Sequence, residues 1–166
     1  MAKAHIVVIG SGIAGASIAA AIAPHADVTL LESENAAGYH TTGRSAAMYL
    51  PSYGNDVVRA LTRASAGFLH VPPPEAEGHD LLRRRGLLTV ADAALEAALD
   101  APVYAGHRRL SVDMATMLVP ALRREAVVGA RYDPEAADID VDLLHQSYLR
   151  MARARGARTR ARKGGA

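Results

Sequence analysis

The sequence predicts an α/β fold, on three observations. The apolar run Ile6-Val7-Val8-Ile9 is short, β-branched and unalternating, the pattern of a central parallel strand. The box Gly10-Ser11-Gly12-Ile13-Ala14-Gly15 follows at once and opens an alanine-rich helical pattern over 16–23. A second apolar run, Val28-Thr29-Leu30-Leu31, ends on Glu32. Strand, tight turn, helix and strand in that order form the dinucleotide-binding fingerprint in its structural context, so a Rossmann-like βαβ core is expected.

Each part of that core has a physical task. Gly10 turns the chain sharply out of the strand. Gly12 has no Cβ, so a pyrophosphate can approach the backbone, and Gly15 lets the helix pack closely on the sheet. Ala16, Ala19 and Ala20 keep that packing thin. The helix N-terminus offers unpaired N–H groups and the positive end of its dipole. Glu32 is placed where a carboxylate accepts the hydroxyls of an adenosine ribose, and its charge argues against a 2′-phosphate. The box alone leaves FAD and NAD open. The alternative is a purely structural turn with Glu32 as a solvated charge.

The elements that follow are read in order. Residues 33–44 are a polar loop with two glycines, turning helical around 45–47 with Thr42 or Ser45 as cap. Asn55 or Asp56 caps a helix over 57–69, with Val58, Leu61, Ala64, Ser65 and Phe68 at helical spacing and Phe68 read as core. Pro72-Pro73-Pro74 marks a connector that is neither helix nor central strand. Residues 81–91 read as two short strands or one interrupted strand, 93–99 as a short helix, and 110–118 as a serine-capped helix. A strand over 127–132 and a turn over 133–138 lead into a helix over 140–154. That helix carries Val141, Leu144, Tyr148 and Met151 on one side, acids at its start and arginines at its end.

Composition bounds the rest. The chain has 166 residues, half of them hydrophobic, which suffices for a real core, and no stretch is long and apolar enough to span a membrane. The strand begins so early that no signal peptide is expected, and the absence of cysteine makes the cytosol the simple reading. The histidines are scattered without metal-ligand spacing, so no metal is expected. Seven of the 19 Lys and Arg residues lie from Arg150 onward with no acid among them. This tail offers no apolar period, so residues 155–166 are expected to be a disordered basic end. It carries no aromatic residue for base stacking, so no specific nucleic acid is expected as a partner.

The glycine box, Glu32 and above all Gly38-Tyr39-His40-Thr41-Thr42-Gly43-Arg44-Ser45-Ala46-Ala47 resemble FAD-dependent oxidoreductases of the D-amino-acid oxidase and glycine oxidase type. Within that family, bacterial D-arginine dehydrogenase is the member most resembled. The stretch from Ala137 to Arg150 resembles the segment by which such enzymes pass from the substrate domain back to the FAD domain. The resemblance implies a Rossmann-like FAD-binding portion over 1–78, the beginning of a mixed or antiparallel substrate-binding domain over 79–138, and a returning helix over 139–154. It implies that Gly10, Gly12, Gly15 and Glu32 hold the ADP half of FAD, with Ile13, Ala14 and Ser33 also binding the cofactor. Thr41, Thr42, Gly43, Arg44, Ser45 and Ala46 would lie along the ribityl chain and flavin. The substrate sheet would begin near Leu87 and include residues 128–132.

For the substrate, the resemblance implies a pocket with Met48, Tyr53 and Leu87, Tyr53 belonging to its lid and standing as the one candidate for a catalytic side chain. Met48 replaces a histidine beside the flavin, and Leu87 an acidic residue that meets a guanidinium. The implied reaction is loss of a hydride from the α-carbon of an amine or D-amino acid to flavin N5. The imine so formed hydrolyses to a 2-oxo acid and ammonia; the electron acceptor is unspecified. Complete members are more than twice this length, so the chain is expected to be an N-terminal piece, inactive alone. Two alternatives stay open: a flavoenzyme for another amine or a hydroxy acid, and a non-catalytic fragment with weak or no dinucleotide binding.

Overall fold

A computed structural model describes residues 3–100 and 106–161. Its elements begin with β1 (His5–Ile9), α1 (Ile13–Ile22), β2 (Asp27–Glu32), β3 (Met48–Tyr49), α2 (Asp56–Ala64) and α3 (Ala66–His70). They continue with β4 (Leu82–Arg84), β5 (Leu87–Ala91), β6 (Arg108–Leu110) and α4 (Val112–Leu118). The last are β7 (Gly129–Asp133), β8 (Ala137–Ile139), α5 (Val141–Ala154) and β9 (Arg158–Ala161). Two compact units result, one drawn from the chain up to Ala47, Gly67–Leu82 and the chain from Ile139, the other from Met48–Ala66 and Arg83–Asp138.

The first unit holds the predicted βαβ core. Its parallel sheet has the order β1-β2-β9, with Ile6 opposite Val28 and Leu30 opposite Thr159. Small side chains set the packing: Ala19 and Ala20 of α1 and its C-cap Ala23 join Val28 and Leu30 of β2 and Met151 and Ala152 of α5 in one buried cluster. Phe68 lies at its margin, half-buried, with its ring stacked on Tyr148 at 5.3 Å. Asp140 caps α5, its carboxylate accepting from Leu143 N–H at 2.8 Å. Gly156, at φ +95°, ends the helix in the left-handed conformation that favours glycine.

One expectation for this unit needs correction. The basic end is not disordered over its described part: Arg158–Ala161 form β9, paired in parallel with β2. The backbone ladder and a charge pair from Arg158 to Asp27 at 2.8 Å hold it, while its four side chains stay exposed, so no apolar period marks it. Residues 162–166 of that expected tail lie outside the described residues. Among the described residues, β1 pairs with β2, with Ile9 87% exposed and Val8 packed against the core.

In the second unit β5, β7 and β6 form an antiparallel sheet, with Leu87 opposite Asp133 and Leu110 opposite Ala130. Leu110, Ala115 and Ala130 make its small core, and Ser111 caps α4. Beside it stands the short sheet β3-β8-β4. The helix expected over 57–69 breaks at Ser65 into α2 and α3, at the weak helix formers Ser65 and Gly67. Asn55 caps α2 as expected, yet α2 buries nothing: Val58 and Leu61, though at helical spacing, are exposed. The helix expected over 93–99 is a single 3-10 stretch at Glu96–Asp100. Arg83, Arg84 and Arg85 form a solvated face, with Arg85 paired to Asp138 at 2.8 Å. No helix among the described residues is long and apolar enough to cross a membrane.

Candidate functional site

The glycine turn is built by three different constraints. Gly10 adopts φ +91°, and its N–H donates to the Leu31 carbonyl at 2.8 Å, so the end of β1 is tied to β2. Gly15 sits directly over that turn, where a Cβ would come within 1.8 Å of the Gly10 carbonyl oxygen. Gly12 is the N-cap of α1 in ordinary extended backbone; a Cβ there would meet Thr42 Oγ1 at 3.0 Å. Since glycine brings no capping side chain, Thr42 supplies one from the next loop, its hydroxyl accepting Ile13 N–H at 2.9 Å. The amides of Ala14 and Gly15 have no acceptor within the helix and are available to an anion.

Glu32 closes the turn from the side of β2. Its Oε2 accepts from Ser11 N–H at 2.9 Å and from Ser11 Oγ at 2.6 Å; its Oε1 accepts from Ser33 N–H at 2.8 Å and Glu34 N–H at 3.1 Å. The Ser11 hydroxyl foremost, then the Glu34 amide, with the Ser11 and Ser33 amides adding less, hold the carboxyl down at about 2 against its ordinary 4.5, while desolvation works the other way. Glu32 is therefore anionic at neutral pH, and it organises the glycine turn before it meets any ligand. Ser11 is fully buried, and its carbonyl lies 2.7 Å from Nε2 of the buried His145 on α5.

A depressed carboxyl contributes stability above its unfolded value and loses it as pH falls through its folded value. Glu32→Gln is thus expected to lower the melting temperature most above pH 4.5, and the gap to the unaltered protein should close as pH approaches about 2. Melting curves of both proteins across that range check this; a gap independent of pH would contradict it.

A cavity of about 280 Å³ lies against this turn, lined by Gly10, Gly12, Glu32, Ser33, Gly38, Tyr39, His40, Thr41 and Thr42. Six of the expected cofactor residues, Gly10, Gly12, Glu32, Ser33, Thr41 and Thr42, thus share one cavity. Ile13, Ala14 and Gly15 form the first turn of α1 beside it. Gly43 and Arg44 lie in a 3-10 turn, Thr42–Arg44, so the helical turn falls before Ser45 and not over 45–47 as expected. Ser45 is extended, and Ala47 takes a positive φ of 44° that interrupts any helix there. The Arg44 guanidinium lies 5.3 Å from the centroid of the Tyr39 ring, at cation–π distance.

Met48, Tyr53 and Leu87 belong to the second unit. Met48 lies in β3, Leu87 opens β5, and Tyr53 stands 70% exposed in the turn before α2. Sequence reasoning passed over Ser11, Gly38 and His145 as site residues. The signal for His145 was its place on α5: three residues before Tyr148 and seven before Ala152, it shares their inward face.

A glycine-walled cavity at a helix N-terminus, with an anionic carboxylate at the tip of the second strand, fits a diphosphate beside a ribose. The family model described as FAD dependent oxidoreductase matches residues 5–163. Among solved structures, glycine oxidase from Geobacillus kaustophilus aligns at TM-score 0.78 and 20% identity, over 96% of this chain and 46% of its own. L-α-glycerophosphate oxidase from Mycoplasma pneumoniae, solved with FAD bound, aligns at 0.78 and 13%, over 97% of this chain and 45% of its own. Iminodiacetate oxidase from Chelativorans sp. aligns at 0.69 and 29%, over 93% of this chain and 46% of its own. The chain spans less than half the length of these solved structures.

Proposed function

Because the chain belongs to the FAD-dependent oxidoreductase family, with FAD as its cofactor, we propose that the whole protein oxidises an amine or D-amino acid at its α-carbon. The observation that carries this reading is the cavity that unites the glycine turn, Glu32 and the 38–42 loop. When bound, FAD supplies the hydride acceptor for the substrate α-carbon. The protein's own residues do the rest. Gly12 leaves room for the diphosphate, the free amides of Ala14 and Gly15 take its charge, and Glu32 faces the ribose and repels a 2′-phosphate. We assign Thr41, Thr42, Gly43, Arg44, Ser45 and Ala46 to the ribityl and flavin side, and Tyr53, with its exposed ring, to a lid over the substrate. Loss of the hydride, with a proton leaving the amine nitrogen, leaves an imine, which for an amino acid water converts to a 2-oxo acid and ammonia.

The Thr41–Ala46 stretch and its resemblance to D-arginine dehydrogenase support an amino-acid substrate, while the side-chain preference follows from Leu87. A guanidinium beside Leu87 loses hydration and gains no ion pair from that position. The solvated Arg83–Arg85 face gives no reason to favour an acidic substrate. D-leucine is therefore expected to reduce the flavin faster than D-arginine or D-glutamate. Absence of cysteine fits a cytoplasmic location.

The test is to release and identify the cofactor, then follow flavin bleaching anaerobically with D-leucine, D-arginine, D-glutamate and iminodiacetate. NAD without flavin would sink the cofactor assignment, and fastest reduction by D-arginine would sink the role of Leu87. A second reading, another amine as substrate, is favoured by the 29% identity to iminodiacetate oxidase; reduction by iminodiacetate alone would select it.

A further inference from the structure

We infer that His145 is a positioning residue for the cofactor cavity, acting through the Ser11–Gly12 peptide; the inference rests on the flavin reading of that cavity. His145 is buried, and its Nε2 lies 2.7 Å from the Ser11 carbonyl oxygen. A carbonyl only accepts, so Nε2 carries the proton and donates. Ser11 is flanked by two glycines, whose backbones have the freedom to let the intervening peptides rotate. Anchoring the Ser11 carbonyl removes that freedom.

Two consequences follow from peptide planarity and from the Ser11 side chain. In a trans peptide the Gly12 N–H points opposite to the Ser11 carbonyl, hence away from His145, and Gly12 lines the cavity. With the turn held, Ser11 N–H and Oγ stay aimed at Glu32 Oε2. His145 thereby links α5 to both the diphosphate wall and the ribose carboxylate.

The other edge of the ring braces the opposite wall. Gly38 stands at φ +77°, and a Cβ there would meet His145 Cε1 at 2.9 Å and Nδ1 at 3.0 Å. The Gly38 carbonyl accepts Gly43 N–H at 2.8 Å, which secures the turn carrying Thr42, the cap of α1. One imidazole therefore sits between the two loops that enclose the cavity, donating to one and filling the space beside the other. A histidine serving only as core filler would be replaced by leucine without consequence for ligand affinity.

The experiment compares the protein with His145→Leu, which fills the space without a donor, and His145→Gln, whose Nε2 reaches a similar point and donates. FAD titration is expected to give a Kd about tenfold weaker for His145→Leu and within about twofold for His145→Gln. NMR without cofactor is expected to show a proton on His145 Nε2, and faster exchange of the Ser11 amide in His145→Leu alone. Equal affinity in all three proteins, His145→Gln as weak as His145→Leu, or an Nδ1–H tautomer would each overturn the inference. If His145→Leu fails to fold, His145→Gln and the tautomer decide. An unaltered protein that holds no flavin overturns the proposed function instead, and the tautomer and Ser11 exchange then decide whether His145 sets the turn.

Discussion

Gly15→Ala is expected to dismantle the glycine turn and destabilise the whole first unit, although it adds one methyl group. That methyl would stand 1.8 Å from the Gly10 carbonyl oxygen, 3.0 Å from its carbon and 3.4 Å from Val8 Cγ1. No rotamer relieves the clash, because a Cβ has none and the partner is backbone. Relief requires α1 to lift away from the end of β1, and α1 is anchored by the fully buried Ala16 and Ala19. The Gly10 N–H bond to Leu31 would be strained in the same movement. Overpacking of this kind costs about 3 kcal/mol or more. Urea unfolding should show a large fall in midpoint and flavin should be lost with it. Gly67→Ala is the matched control: nothing lies within 4 Å of its Cβ, so it should be neutral or slightly stabilising. A Gly15→Ala protein with an unchanged midpoint would refute the close approach of helix and turn.

Gly12→Val is expected to fail differently, losing the cofactor while keeping the fold. Gly12 has φ −68° and ψ −175°, a conformation open to any residue, so no backbone strain arises. Its Cβ would approach Thr42 Oγ1 at 3.0 Å, a side-chain atom that can give slightly. The two further methyl groups of valine, however, branch where Gly12 lines the cavity. Flavin affinity should fall about a hundredfold or more, the scale of ~3 kcal/mol for crowding a filled site. Circular dichroism and an FAD titration separate the two outcomes; a folded variant with normal affinity would remove Gly12 from the ligand site.

The contrast between these glycines shows what was legible in the sequence. Strand, box, helix and Glu32 are contiguous, so local pattern alone placed them, and α5 with its Asp140 cap was equally plain. That Gly15 is pressed against backbone, and Gly12 only against the Thr42 hydroxyl, depends on the path of the chain in space. His145 and Ser11 lie 134 positions apart, and no local period joins them. β9 escaped detection because arginine and threonine side chains pointing into water look like a solvated tail, while the backbone does the pairing. The spacing on α2 is no guide to burial, since Val58 and Leu61 recur at the helical period yet remain exposed.

The pairing of β9 with β2 also sets an order of events during folding. Asp27 and Arg158 are separated by 131 positions, and the Leu30–Thr159 ladder joins the same distant stretches. Closing so long a loop carries an entropic cost that grows with the logarithm of its length, and it must be met before the ladder returns anything. β1, α1 and β2 are neighbours in the chain and can meet early; the third strand arrives only after 33–157 have been made and placed. Until then β2 presents an open row of backbone donors and acceptors, as edge strands do. A fold whose central strand waits for its partner is expected to mature slowly and to be most prone to self-association in that interval.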